Sequence, residues 1–288
     1  CRRLTMASPF SWLAAANRSL VERLLAHYRA LQRPLEILAL EGEDDPDPPA
    51  GTMGDLEPLE FRLGIAGGRI TLGTPLDGWR APPARAAVAD VETPLASPCL
   101  FTGANGAGKS LTAKALAGAV PRRGAWGIGR GAAPPRPRLL LQDVLAQALM
   151  RPLARLDRGP GAAGELYRRI QENHRESAAT APGTPPAPDG FRPPSLVAVK
   201  AMLAAARLAQ RPGALILDEP DWGLSRSSAL AFVGAVCRAA HGLQVPVVII
   251  SHKPWWERMA ASRLAVAKGP AVEGAAFTIA LTPGGGAA

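Results

Sequence analysis

The residues best suited to chemistry are Gly103-Ala104-Asn105-Gly106-Ala107-Gly108-Lys109-Ser110. They fit the G-x-x-x-x-G-K-[ST] phosphate-loop pattern at every required position. The glycines allow the backbone to curl so that several N–H groups face one phosphate. Lys109 is spaced to reach the β- and γ-phosphates, and the Ser110 hydroxyl to bind Mg²⁺. Gly103, Asn105, Gly106, Ala107, Gly108, Lys109, Ser110 and the adjoining Leu111 therefore form a predicted nucleoside-triphosphate cradle. Three other places could complete the chemistry. Asp218 ends the apolar run Leu215-Ile216-Leu217 and can hold Mg²⁺ directly or through its water. Glu219 follows it and can orient or deprotonate a water. Gln142 offers an amide to the metal or that water, and His252 an imidazole to the γ-phosphate. Singly, each has a plainer reading: a capped strand, a surface glutamine, a loop histidine. Phosphoryl transfer asks for charge neutralisation and a positioned nucleophile, and these residue types in this order supply both.

Such residues need a rigid frame. Cys99–Thr102 reads as a short buried strand leading into the glycine-rich stretch, and 111–119 as a helix, with no proline until Pro121. Upstream, 60–76 reads as a β-hairpin turning at Gly67-Gly68. Trp79 follows in a loop, and 88–95 reads as another strand. Downstream, 138–144 is a predicted strand, and 144–155 and 165–176 are predicted helices. Residues 177–194 are rich in Pro, Gly, Ala and Thr and read as a flexible insertion. Ser195 is placed to cap a long Ala-rich helix ending near Gln210. Then come a strand over 214–220, a helix over 227–240 and a strand over 245–250 that stops at Ser251-His252. Strands alternating with helices predict an α/β fold with a mostly parallel sheet covered on both faces. Ligands in such sheets sit beyond the carboxyl ends of strands, where Lys109, Gln142, Asp218, Glu219 and His252 fall. At the N-terminus, 11–31 reads as an amphipathic helix and 41–49 as an acidic, proline-rich linker.

The 288 residues allow one large domain or one domain with appendages, and 47% hydrophobic residues suffice for a core. The net charge of +9 could suit nucleic acid or an anionic membrane. The arginines are scattered, however, and a general compositional bias accounts for them at least as well, so nucleic acid is not the expected partner. The three cysteines have neither metal-ligand nor disulfide-framework spacing and fit a reducing compartment. No apolar run approaches the roughly 18 residues of a membrane span. Because the chain opens on Cys1, we expect either a fragment or a start at Met6.

The four motifs together resemble the nucleotide-binding subunit of ABC (ATP-binding cassette) proteins. Gly103 to Ser110 matches Walker A, Gln142 the Q-loop, Leu215 to Pro220 Walker B with its glutamate, and Ser251-His252 the switch histidine. The resemblance covers residues 60–270, and the intervals between the motifs also fit. It implies a P-loop NTPase fold over 51–288, with an antiparallel β subdomain first and a helical subdomain over 143–210, preceded by the N-terminal helix and linker of 1–50. It implies ATP and Mg²⁺ as ligands, with Ser110, Gln142 and Asp218 at the metal. It makes Trp79 either the aromatic that stacks on adenine or a hydrophobic anchor. It implies transmembrane permease subunits and a second cassette as partners, at the cytoplasmic face of the cell membrane. The alternatives are a soluble ABC ATPase acting on nucleic acid or ribosomes, and a regulatory module that holds ATP without hydrolysing it.

Three departures bear on activity. Of the family's LSGGQ signature, Pro194-Ser195-Leu196-Val197-Ala198 keeps only Ser195. Leu196 and Val197 add Cβ atoms where two glycines would let a phosphate approach closely. Ser225 stands where the family has an aspartate, and Leu111 where Walker A usually continues with threonine. Nucleotide binding is therefore expected to be sound, and hydrolysis by the isolated chain weak.

Overall fold

The computed structural model describes residues 4–7, 35–38, 56–72, 84–142, 162–179 and 196–284. Contacts divide the chain into two units, Cys1–Asp47 and Pro48–Ala288. In the first, β1 (Leu4–Ala7) pairs in parallel with β2 (Leu35–Leu38), two strands that the sequence did not announce. The helix expected over 11–31 and the linker over 41–49 lie outside the described residues.

The second unit is mixed α/β. Its strands are β3 (Leu59–Thr71), β4 (Arg85–Val88), β5 (Val91–Ser97), β6 (Cys99–Thr102), β7 (Arg122–Gly129), β8 (Arg138–Leu140), β9 (Leu215–Asp218), β10 (Val247–Ile250), β11 (Ser262–Gly269) and β12 (Phe277–Gly284). Its helices are α1 (Lys109–Leu116), α2 (Ala162–Ala179), α3 (Leu196–Leu208) and α4 (Arg226–Gly242), with a 3₁₀ turn at Pro254–Arg258. No described helix is long and apolar enough to cross a membrane.

One half of the sheet is parallel, in the order β8-β9-β10-β6-β11. Its side chains alternate between two cores. Leu100, Leu215, Leu217, Val247 and Ile249 pack with α2, α3 and α4 on one face. Cys99, Phe101, Ile216, Val248 and Ile250 pack with Ala113 and Leu116 of α1 on the other. A strand sandwiched in this way reads as a continuous apolar run, which is why β9 and β10 are legible in the sequence. Each fully buried aliphatic side chain contributes about 2 kcal/mol, so these four-residue strands rigidly hold whatever follows them.

The other half is antiparallel apart from the parallel pairing of β12 with β4, and here two expectations fail. The hairpin predicted at Gly67-Gly68 does not form. β3 runs straight through both glycines as one 13-residue strand. Its register with β7 slips between Ala66 and Arg69, so the glycines accommodate a β-bulge instead of a turn. Gly67 takes φ +59°, and the Asp90 carboxylate accepts its N–H at 2.7 Å. The strand predicted over 88–95 is broken at Ala89-Asp90 into β4 and β5. Both pieces pair with β3 in one register, with Gly68 opposite Val88 and Ile65 opposite Val91. The Ala89 N–H donates to the Ile279 carbonyl at 2.8 Å, at the end of the parallel pairing of β4 with β12. β7, β11 and β12 were not foreseen. α2 extends to Ala179, into the stretch read as an insertion. The helix expected over 144–155 and the remainder of that insertion, from 180, lie outside the described residues.

Candidate functional site

β6 delivers the glycine-rich loop to the C-terminal edge of the parallel strands, and α1 begins at Lys109. Gly108 caps the helix at φ +101°, no side chain caps its first turn, and that turn carries no acid. The helix therefore presents uncapped N–H groups and an uncompensated positive end. The loop is fixed from below. Gly103 has φ +141°, and a Cβ there would lie 2.1 Å from the Val266 carbonyl oxygen. A Cβ on Gly108 would lie 2.7 Å from Ile279 Cδ1. The loop is thus seated on β11 and β12, strands that come more than 150 residues later in the chain.

Lys109 is 7% exposed, and its Nζ donates to the Gly103 carbonyl at 2.6 Å and the Ala104 carbonyl at 3.0 Å. Burial lowers its pKa, opposed by the carboxylates of Glu219 and Asp218. Ser110 Oγ donates to Asp218 Oδ1 at 2.8 Å, joining α1 to the end of β9. Asp218 is itself 5% exposed. Burial raises its pKa, and the Ser110 hydrogen bond opposes that rise.

Glu219 turns out of the strand at φ +46°, a conformation that costs a non-glycine residue about 1 kcal/mol. Its N–H donates to the Ile250 carbonyl at 2.8 Å, which locks the ends of β9 and β10 together. β10 then brings His252 back, with Nδ1 at 3.4 Å from Glu219 Oε1. Both side chains remain partly accessible. Gln142 lies two residues beyond β8, the edge strand beside β9, and is half-buried.

The structure thus gathers Gly103 to Ser110, Asp218, Glu219 and His252 at one edge and puts Gln142 on the same edge. Leu111 turns its side chain into the core under the sheet and offers no polar group. Trp79 and Ser195 lie outside the described residues. Ser225, which replaces the expected aspartate, caps α4 instead: its Oγ accepts from the Ser228 N–H at 3.3 Å.

Sequence reasoning missed a second layer. The Asp221 carboxylate accepts from Ser251 Oγ at 3.1 Å and Trp256 Nε1 at 3.3 Å. Lys200 of α3, 1% exposed, donates to the Pro220 carbonyl at 2.6 Å and the Trp222 carbonyl at 2.7 Å. The available signal was a lysine within an otherwise apolar stretch of α3.

These residues suit a magnesium–nucleotide. No group of three or more His, Cys, Asp or Glu side chains converges among the described residues. The donor set is one hydroxyl and one carboxylate, and Mg²⁺ typically takes one or two protein ligands and completes its shell with phosphate and water. A cavity of about 660 Å³, lined among others by Gly64, Asp90, Glu92, Trp126 and Pro134, belongs to the antiparallel half and includes none of these residues.

No protein-family model matches the chain, and no curated protein matches it. Among solved structures it is similar to a bacterial Atm1-family ABC exporter with ATP bound, at 16% identity and a TM-score of 0.44. The alignment covers 86% of this chain and 42% of the exporter chain. The likeness is weak and partial, and this chain spans about two-fifths of that protein's length.

Proposed function

We propose that the chain is the ATP-binding and ATP-hydrolysing subunit of an ABC-type transporter, working with a second cassette on separate membrane-spanning subunits at the cytoplasmic face. The observation that carries the nucleotide reading is the 2.8 Å hydrogen bond from Ser110 to Asp218. It puts the phosphate-loop hydroxyl against the strand-end acid, the pair that a bound Mg²⁺ requires. The membrane partners and the second cassette follow from the motif resemblance alone.

The roles divide as follows. The uncapped N–H groups of α1 and Lys109 bind phosphate oxygens, with Lys109 exchanging its two loop carbonyls for them. Ser110 and Asp218 hold Mg²⁺, with the Gln142 amide beside them, and the metal when bound supplies charge neutralisation on those oxygens. Glu219 is the acceptor for the proton of the attacking water, and His252 orients its carboxylate. Trp79 stacking on adenine and Ser195 facing a partner's γ-phosphate complete the proposal.

The test is ATP binding and hydrolysis by wild type, Lys109→Ala and Glu219→Gln. We expect Lys109→Ala to weaken binding of a fluorescent ATP analogue at least tenfold. Glu219→Gln should retain binding and keep only a slow residual rate of hydrolysis. A Glu219→Gln protein that hydrolyses at the wild-type rate would remove Glu219 from its role. Unchanged titration of Lys109→Ala would remove the nucleotide reading altogether.

A further inference from the structure

Lys200 takes no part in the roles above, and an ammonium in its position is costly. It lies on the fifth residue of α3, between Val199, Ala201 and Met202, all buried. Burial pushes its pKa down to about 8, against the opposing pull of Asp221. An apolar side chain would avoid that desolvation.

What the ammonium does is hold two carbonyls, those of Pro220 and Trp222. Pro220 directly follows Glu219. Between the two carbonyls lies Asp221, whose carboxylate accepts from Ser251, the residue before His252. One cation therefore reaches both members of the Glu219–His252 pair, through the backbone on one side and through Asp221 and Ser251 on the other. A second contact joins the same two elements: Gly223 has φ +75°, and a Cβ there would lie 2.7 Å from Leu196 Cδ2 at the first residue of α3.

Resting on the hydrolytic reading, we propose that Lys200 is a positioning residue that fastens the 219–223 turn to the first turns of α3 and so keeps Glu219 paired with His252. Lys200 touches no phosphate. Its influence on turnover passes through Glu219, and hydrolysis depends on how α3 is seated.

The test is a cycle of wild type, Lys200→Met, Glu219→Gln and the double variant, read by nucleotide affinity and single-turnover hydrolysis. We expect Lys200→Met to bind the fluorescent ATP analogue within twofold of wild type and to hydrolyse at least tenfold more slowly. In the Glu219→Gln background the same change should alter the rate less than twofold, because the residue it positions is gone. A general loss of stability would not discriminate between the two backgrounds. Wild-type turnover in Lys200→Met, loss of nucleotide binding, or rate losses that multiply in the double variant would each overturn the proposal. Amide hydrogen exchange reads the fastening whether or not ATP is cleaved: Lys200→Met should speed exchange at Glu219, Trp222 and Leu224 and leave Thr112 on α1 unchanged. Unaltered exchange at all three would refute it independently of the hydrolytic reading. Should Lys200→Met fail to fold, Lys200→Gln, which can still donate one hydrogen bond, is carried through the same measurements with intermediate effects expected.

Discussion

Replacing Gly103 with alanine tests the seating of the glycine-rich loop, with Gly106 and Gly108 as internal standards. Gly103 has φ +141°, a region that alanine enters at a cost of about 1–3 kcal/mol. The new Cβ would also lie 2.1 Å from the Val266 carbonyl oxygen, a backbone atom fixed by pairing of β11 with β6 and β12. Overpacking against an immovable neighbour adds about 1–3 kcal/mol. The expected loss is about 2–6 kcal/mol, a large part of the 5–15 kcal/mol that typically holds a domain. Gly106 has φ +79° but no heavy atom within 4 Å, so Gly106→Ala should cost only the backbone term, about 1 kcal/mol. Gly108 is intermediate: its Cβ would meet Ile279 Cδ1 at 2.7 Å, the movable end of a side chain. Urea denaturation of the three variants, followed by circular dichroism, should rank Gly103→Ala as most destabilised and Gly106→Ala as least. Three midpoints that coincide, or Gly106→Ala as the least stable, would mean that the loop does not rest on β11 as described.

Two further expectations follow from buried groups. The folded pKa of Lys200 is lowered from 10.5 to about 8, so below pH 8 the folded state bears the full cost of the buried ammonium. Between pH 8 and 10.5 the unfolded chain binds more protons than the folded one, and stability rises with pH by up to about 3 kcal/mol. Cys99 and Cys237, raised from 9.0 to about 12, act in the opposite direction above pH 9, but equally in wild type and Lys200→Met. The difference between the two proteins in urea titrations from pH 7 to 10.5 should therefore grow in favour of wild type, and a flat difference would show that Lys200 is not desolvated. Because both thiols are buried, a thiol-reactive disulfide reagent at pH 8 should leave Cys99 and Cys237 unmodified in the folded protein and label both in urea, as read by peptide mass. Rapid labelling of Cys237 in the native state would contradict the packing of α4.

Local pattern was enough wherever a property is carried by neighbours in the chain. The glycine-rich loop between β6 and α1, the two-faced apolar runs of β9 and β10, and the acids at the end of β9 are all legible because spacing and hydrophobic continuity express them directly. The sequence likewise put Lys109, Asp218, Glu219 and His252 beyond strand ends, since a parallel sheet leaves few other places for polar residues that terminate apolar strands. Tertiary structure decided what depends on partners distant in the chain. Gly67-Gly68 has the composition of a turn, yet pairing with β4, β5 and β7 on its two edges holds β3 extended through it. That Gly103 must be glycine follows from a carbonyl on β11, and that Glu219 is held against His252 follows from the locking of β9 to β10. Lys200 looks like an error in an apolar helix until the fold brings the carbonyls of Pro220 and Trp222 to its ammonium. A hydrogen bond between residues twenty apart leaves no periodic trace in a sequence, and only the seating of α3 against the 219–223 turn creates it.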